Sequence, residues 1–560
     1  MAVKKSQIEQ LQDMYQRLIS ARDPYLKIWR QVSEWIDPWY GRMDMGSAPS
    51  ANDLPLSSAI YDSTVSYYSQ VFTTGLQGYT CSSQSAFFGI VPEDPKTMEK
   101  NSELTEMLQA RSRAMYQVFK SSKLYKTLHP FLKSFGDLGT AIMVMGKHPD
   151  TLKPYYNYVP NYQCLTIKDN FHGDVDTLFR TLWLTAYDAR KQFGEDNLPP
   201  CVLKCTDKMK QFKFIQVFAP RGRFDLDIEA DTPFVEVVWC AEDVKKAVFE
   251  GGTKFRRFIC TPWAESFDGT AWGIGAPGMR QFTSSHSMQL MMRDQMNASR
   301  YMSAPPLKKT ENLIADIKPG GFINIPPGGD IAALQMGADV SWNNMTRQDL
   351  RAQAKADYFV DFFLMLSQYS GQVNTATLAQ GLQNEQIKMM TYFLDVLSNS
   401  LFEPLIEWTW NAMGEDGMFN DGYSIAYDDL NIDYISPLYR IQRQAVSLEP
   451  TVNAMNLILP YMQLDNSLMA YVDLPEYAKI VRDATGADVR VIRSDDKAKQ
   501  ILETQARAAK DAEETALSIE KQKADAATYN AESKAPEEGS PAQMQAGDRY
   551  KNLKFGGING

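Results

Sequence analysis

The chain has 560 residues, 44% hydrophobic and 22% charged, with a formal net charge of −10. Those proportions exclude a disordered polypeptide and imply roughly two to four structural units. The acidic balance argues against a tight nonspecific grip on duplex DNA, which needs cations to displace phosphate counterions, but not against DNA sliding past an acidic wall with a few basic rings. The start, SQIEQLQDMYQRL, has no apolar signal region, and no run approaches the roughly 20 apolar residues that span a bilayer. The expectation is a soluble protein made in a cytoplasm, with no membrane contact.

Ile8, Leu11, Tyr15, Leu18, Trp29 and Ile36 follow helical spacing, interrupted at Asp23-Pro24, which predicts two helices in tandem, the second capped by Asp23. After a Gly/Ser/Pro-rich break, Tyr61, Val65, Tyr68, Phe72 and Leu76 mark another helix. Leu104 to Phe119 gives a further one, and Leu124 to Leu138 one more, stopped by Gly139. From Thr140 to Thr261, runs such as AIMVM, YYNYV, FKFIQVF and FVEVVW lie between turn residues, as in an antiparallel sheet. His172, in the turn Lys168 to Gly173, reads as a solvated turn residue. The fold class is α+β.

Gly273-Ile274-Gly275-Ala276-Pro277-Gly278 matches G-x-G-x-x-G, but no strand directly precedes it and helix follows, so it reads as a flexible entry turn with Pro277 at the first helical position. The helix from about Pro277 to Ser303 is rich in methionine, which suits either a shifting neighbour or an ordinary core. Residues 304–344 then form a compact insert containing Lys308 and Lys309 and turns at Pro319-Gly320 and Pro327-Gly328. A second long helix is expected over Met345–Leu366. The polar segment Gln368, Ser370, Gly371, Gln372 and Asn374 interrupts it before helix resumes from Thr375 to Trp410. Beyond Pro437 the chain reads as mostly helical to Gly486. From Ser494 it is an alanine-rich charged helix that needs partner helices, and from about Ala535 a mobile polar tail.

The six cysteines form no C-x-x-C pair and read as buried thiols; the four histidines are too scattered to nominate a metal. Phosphate-loop, nucleophile-elbow and H-E-x-x-H motifs are all missing. Nothing in the residues nominates catalysis, a cofactor or a metal.

In this order of segments the chain resembles the head-to-tail connecting (portal) proteins of short-tailed, podovirus-type bacteriophages. The resemblance rests on Tyr15-Gln16-Arg17-Leu18 through Trp35-Ile36-Asp37-Pro38, on Phe131-Leu132-Lys133-Ser134-Phe135-Gly136-Asp137-Leu138-Gly139-Thr140-Ala141, and on the Asp169–Gly173 turn. It continues in Phe193-Gly194 with Leu198-Pro199, in Pro262-Trp263 through Trp272-Gly273-Ile274-Gly275, in Ala304-Pro305-Pro306-Leu307 and in Pro319-Gly320. Each motif is loose alone; their shared order is the specific part, and it covers most of residues 5–410. Trp272 stands where relatives often carry tyrosine.

The resemblance implies a wing (1–276), stem helices (277–303 and 345–366) around a clip (304–344), a channel loop with wing helices (367–434), a crown (435–493), a C-terminal helix (494–534) and a mobile tail (535–560). It implies a non-enzymatic ring of about twelve copies at one capsid vertex, resident in the virion after assembly in the host cytoplasm. The ring would conduct double-stranded DNA in packaging and ejection, and would partner the terminase large subunit, tail adaptor and nozzle proteins, and major capsid and scaffolding proteins. Lys308 and Lys309 are then candidates for clip docking, and Gln368, Ser370, Gly371, Gln372 and Asn374 for the channel loop. A surface connection is the other reading of that loop. Another virion structural or internal core protein, or a packaging enzyme, are the competing functions.

Overall fold

A computed structural model describes residues 7–41, 60–92, 102–148, 151–169, 171–223, 232–303, 307–309, 331–333, 340–369, 384–419, 427–443 and 449–464, with single positions elsewhere. In chain order the helices are α1 (Gln7–Trp35), α2 (Thr64–Thr80), α3 (Ser102–Ser121), α4 (Leu124–Leu138), α5 (Ala186–Phe193) and α6 (Pro200–Leu203). They continue as α7 (Pro277–Ser303), α8 (Val340–Asp357), α9 (Val360–Tyr369), α10 (Asn384–Leu397), α11 (Glu403–Glu415), α12 (Pro437–Arg443) and α13 (Glu449–Leu464). A π-turn, Ser398–Phe402, joins α10 to α11.

The sheets are antiparallel. Strands β2 (Thr140–Lys147), β3 (Pro154–Val159) and β9 (Phe258–Pro262) make a three-stranded sheet in the order β3-β2-β9. Strands β4 (Cys164–Lys168), β5 (Val175–Thr185), β6 (Gln211–Pro220), β7 (Phe234–Cys240) and β8 (Asp243–Thr253) make a five-stranded meander. Strand β1 (Phe88–Pro92) pairs with β12 (Leu430–Tyr434), tying the first hundred residues to the chain beyond 430. The mixed helical and antiparallel fold class is as expected.

The meander alternates as a sheet buried on both faces must. Ile215, Val217, Val235, Val237 and Trp239 face Ile8, Leu11 and Tyr15 of α1, while Phe212, Phe214, Val238 and Cys240 face Ala186, Ala189 and Val202 of α5 and α6. The cap of α5 is legible: Thr185 Oγ1 accepts the Asp188 backbone N–H at 3.1 Å, an N-terminal hydroxyl satisfying a helix donor. The second half of α1, through Tyr25, Leu26, Trp29, Val32 and Ile36, enters a larger core with α2, α4, β2 and α8–α11.

Helix α1 corrects one expectation. It is a single helix with Pro24 inside it. Proline removes one backbone donor and frees the carbonyl four residues earlier; here both Pro24 and Ser20 are exposed, so water can satisfy that carbonyl. Meanwhile buried Arg22, one residue before Asp23, donates to the carbonyls of Tyr162 and Cys164 and ties this turn of the helix to the chain entering β4. The cysteine reading also needs revision: Cys81, Cys164, Cys240 and Cys260 are buried, whereas Cys201 and Cys205 are half-buried. His172 sits at an exposed turn, its Nδ1 2.8 Å from Asp169 Oδ2.

The chain divides into two compact units, one of residues 1–472 with 484–486 and one of residues 473–483 with 487–560. The described positions of the second unit are helical. Most of the crown, C-terminal helix and tail assignments lie outside the described residues.

Candidate functional site

The candidate site is the pair of long helices, the insert between them and the junction where the second helix breaks. Helix α7 begins at Pro277 and ends at Ser303, as the sequence indicated. Its entry is packed rather than flexible. A Cβ on Gly273 would lie 2.0 Å from the Gly139 carbonyl oxygen, and one on Gly278 2.4 Å from that of Asp137. The Gly273 N–H donates to Thr140 Oγ1 at 2.8 Å and the Trp263 N–H to the Gly139 carbonyl at 2.8 Å. These glycines serve close backbone approach, not phosphate binding.

Helix α8 runs back along α7. Arg347 donates to Gln295 Oε1 at 2.6 Å and to Met292 Sδ at 2.8 Å, whereas Asp357, ten residues on, takes Arg280 at 3.2 Å and Gln281. One partner number rises as the other falls, so the helices are antiparallel. Arg351 also bonds Asp62 Oδ2 at 2.8 Å, and Gln289 receives the Tyr61 and Asp62 N–H groups at 2.7 and 2.8 Å. Of the methionines on α7, Met288 is buried and Met296 exposed, so the face is mixed.

The expected helix 345–366 is two helices. It starts at Val340, inside the span assigned to the insert, and breaks after Asp357, with Phe359 at φ +51°. Left-handed backbone at a non-glycine residue costs about 1–2 kcal/mol. Burial offsets it: Tyr358 is fully buried against Phe72, and Phe359 packs on Phe393 at 5.6 Å between centroids.

Asp137 lies under the break and is fully buried. Its Oδ1 accepts the Tyr358 hydroxyl at 2.8 Å, and its Oδ2 accepts Ser69 Oγ at 2.8 Å and the Tyr40 hydroxyl at 3.1 Å. Burial pushes this carboxyl above its ordinary range, against the opposing pull of Lys133 and the Ser69 and Tyr358 hydroxyls. Lys133 itself pairs with buried Asp37. Trp29 Nε1 donates to the Leu138 carbonyl at 2.9 Å, one residue away. One carboxylate thus joins the N-terminal helices, α2, α4 and the α8–α9 break.

Lys308 and Lys309 lie on strand β10 (Leu307–Lys309), antiparallel to β11 (Ile331–Ala333), with Lys308 opposite Ala332 and Lys309 opposite Ile331. Gln368 belongs to helix α9 rather than to a loop. Ser370, Gly371, Gln372 and Asn374 lie outside the described residues. Sequence reasoning missed Asp137 and Tyr358 as a pair. Among the described residues no three His, Cys, Asp or Glu side chains cluster as a metal site would need, and no helix is long and apolar enough to cross a membrane. Burial pushes the Cys81, Cys164 and Cys260 thiols up to about 12, away from nucleophilic chemistry.

Residues 8–492 match the family described as bacteriophage head to tail connecting protein. The chain belongs to that family. This connecting-protein chain is 24% identical over 444 residues to the probable portal protein of Bordetella phage BPP-1, covering 76% of the chain and 78% of that relative. It is 22% identical over 528 residues to the portal protein of Salmonella phage epsilon15, covering 91% of the chain and 93% of that relative. The span 8–492 takes in the paired helices and the Asp137 junction, so both belong to the connecting-protein region of the chain.

Proposed function

We propose that this chain is a portal subunit: about twelve copies close into a ring at one capsid vertex, through which DNA enters during packaging and leaves during ejection. The observation that carries this reading is the family match over residues 8–492, supported by relatives named portal proteins along most of their lengths. Helices α7 and α8 suit a stem, because an antiparallel pair cross-tied from Arg280 to Arg347 resists shear along its length. The β10–β11 pair between them suits a clip, where the terminase large subunit docks first and tail adaptor and nozzle proteins later. The segment after α9 suits a channel loop whose uncharged polar residues touch phosphates without the salt-dependent grip of lysine. The sheets and N-terminal helices are the wing, which meets capsid and scaffolding proteins. The ring is a virion component, assembled in the host cytoplasm, and does no catalysis.

The test is the purified protein. At 63.4 kDa per chain, a ring of about twelve copies scatters as about 760 kDa and shows an axial channel in electron micrographs. Monomers or dimers across a range of salt and concentration would overturn the reading.

A further inference from the structure

Two loops carry nearly fully exposed phenylalanines. Phe171, in the β4–β5 turn, is 90% exposed, and Phe267, after β9, is 99% exposed. The loops are neighbours, since Lys168 Nζ lies 2.9 Å from Glu265 Oε2. Each is internally fixed. Asp169 Oδ1 accepts the Phe171 N–H at 3.0 Å, and the Asp169 N–H reaches the Asp174 carbonyl at 2.8 Å. In the other loop Asp268 accepts the Thr270 N–H at 2.9 Å and the Tyr25 hydroxyl at 2.7 Å. One exposed apolar side chain needs no explanation, but two aromatic rings on adjacent, internally bonded loops form an anchor that loses little entropy on docking. Around them the carboxylates Asp169, Asp174, Asp176, Glu265 and Asp268 face the cations Lys168, Arg223 and Arg256, so the edge is apolar at its tips and on balance acidic at its base.

The complementary feature is on a different set of elements. Between the end of α2, α3 and the start of α4 lies a cavity of about 170 Å³, lined by Arg113, Lys120, Tyr116, Tyr125, Gln117 and Ala86 among others, with no carboxylate. The pocket is open to solvent and polar at its rim, with a volume close to that of a single aromatic ring's site. Neither Arg113 nor Lys120 has a carboxylate partner among the described residues, and both can lie over an aromatic face. Tyr116 is already saturated by the Phe87 and Phe88 backbone, at 2.9 and 2.7 Å from their N–H groups. It therefore offers its ring, not its hydroxyl.

A closed ring requires two different, mutually complementary patches on every copy. We propose that the Phe171–Phe267 edge of one copy docks on the Arg113–Lys120 pocket of the next, with the Phe267 ring entering the pocket and the acidic loop bases meeting its two cations. The occupant is a second copy of this chain, chosen by charge and size together; the inference rests on the ring reading above and adds which surfaces close it.

Cysteine cross-linking of the full chain tests it. Glu265→Cys, two residues from Phe267 and leaving both phenylalanines in place, combined with Gln117→Cys and treated with a short bis-maleimide, gives a ladder extending past the dimer, while each single variant, which keeps the six native cysteines, gives none. Closed rings in micrographs without a ladder overturn this interface and leave the ring reading standing; absence of rings in the unmodified chain overturns the ring reading itself. Phe171→Ala with Phe267→Ala, both exposed and so neutral for the monomer fold, raises the protein concentration needed for ring assembly about thirtyfold or more, the scale of an interface hot spot. Assembly at an unchanged concentration with an unchanged melting profile overturns the proposal, and a basic partner protein captured by the edge in place of a second copy would do so as well.

Discussion

Replacing Tyr358 by phenylalanine removes one oxygen from the centre of the α8–α9 break and leaves the ring packing on Phe72 in place. The hydroxyl donates to Asp137 Oδ1 at 2.8 Å in a fully buried setting. A hydrogen bond to an ionised group is worth about 1.5–3 kcal/mol, a neutral one about 1 kcal/mol. The loss therefore depends on the protonation of Asp137. Burial raises that carboxyl in the folded state. Its contribution to stability is consequently greatest below the unfolded carboxylate value of 3.8 and is lost as pH rises through the folded value. Tyr358→Phe removes a donor to the ionised form, so its cost is about 1.5–3 kcal/mol on the alkaline side and falls toward about 1 kcal/mol as Asp137 takes up its proton. Urea unfolding followed by tryptophan fluorescence reads this, because Trp29 is fully buried and bonds the Leu138 carbonyl beside the site. Repeating the substitution in an Asp137→Asn background closes a double-mutant cycle, in which most of the cost and all of its pH dependence disappear. An equal cost in both backgrounds, or one independent of pH, would refute the reasoning.

Gly273→Ala places a methyl 2.0 Å from the Gly139 carbonyl oxygen, where backbone meets backbone, and should cost about 1–3 kcal/mol or more; a wild-type melting profile would contradict the close-approach role. Arg351→Leu breaks the bond to Asp62, whose carboxyl is pushed up by burial but held lower on balance by Thr64 and Arg351. That stability is present above the ordinary value of 3.8 and fades as pH falls through the depressed folded value, so a cost of about 1–2 kcal/mol near neutrality should shrink in acid, read by melting across pH. Lys308→Glu with Lys309→Glu should leave rings intact while abolishing terminase or adaptor docking in a pull-down; normal packaging and tail attachment would remove these lysines from the clip role. Gln372→Cys carrying a bulky label should block DNA packaging in closed rings, and unhindered packaging at full labelling would place that segment away from the axis.

What could be read from sequence follows how local each signal is. Helices α4 and α7 were legible to the residue, since Gly139 in the left-handed region at φ +76° stops one and Pro277 starts the other. The antiparallel strands were legible from β-branched and aromatic runs set between turn residues, but their division into a three-stranded sheet and a five-stranded meander was not. Pro24 misled because a breaker's effect depends on whether the freed carbonyl meets water, a tertiary fact. The break at Phe359 carries no glycine or proline, and it exists because buried rings on both sides demand it. Asp137 was quoted within a family motif, yet its partners lie 68, 97 and 221 positions away along the chain. No local pattern encodes such a meeting.

Helix α1 has mechanical meaning. It is a rod of 29 residues, about 43 Å long, whose first half is seated in the meander's core and whose second half is seated in the core around Asp137. A body clamped to both ends of a stiff rod cannot tilt alone. Between the sheet and the carboxylate that pins the second long helix, the rod's own contact is the Trp29 bond to the Leu138 carbonyl, one residue from Asp137. Pro24, where one rung of the helix ladder is missing, lies between the two seats.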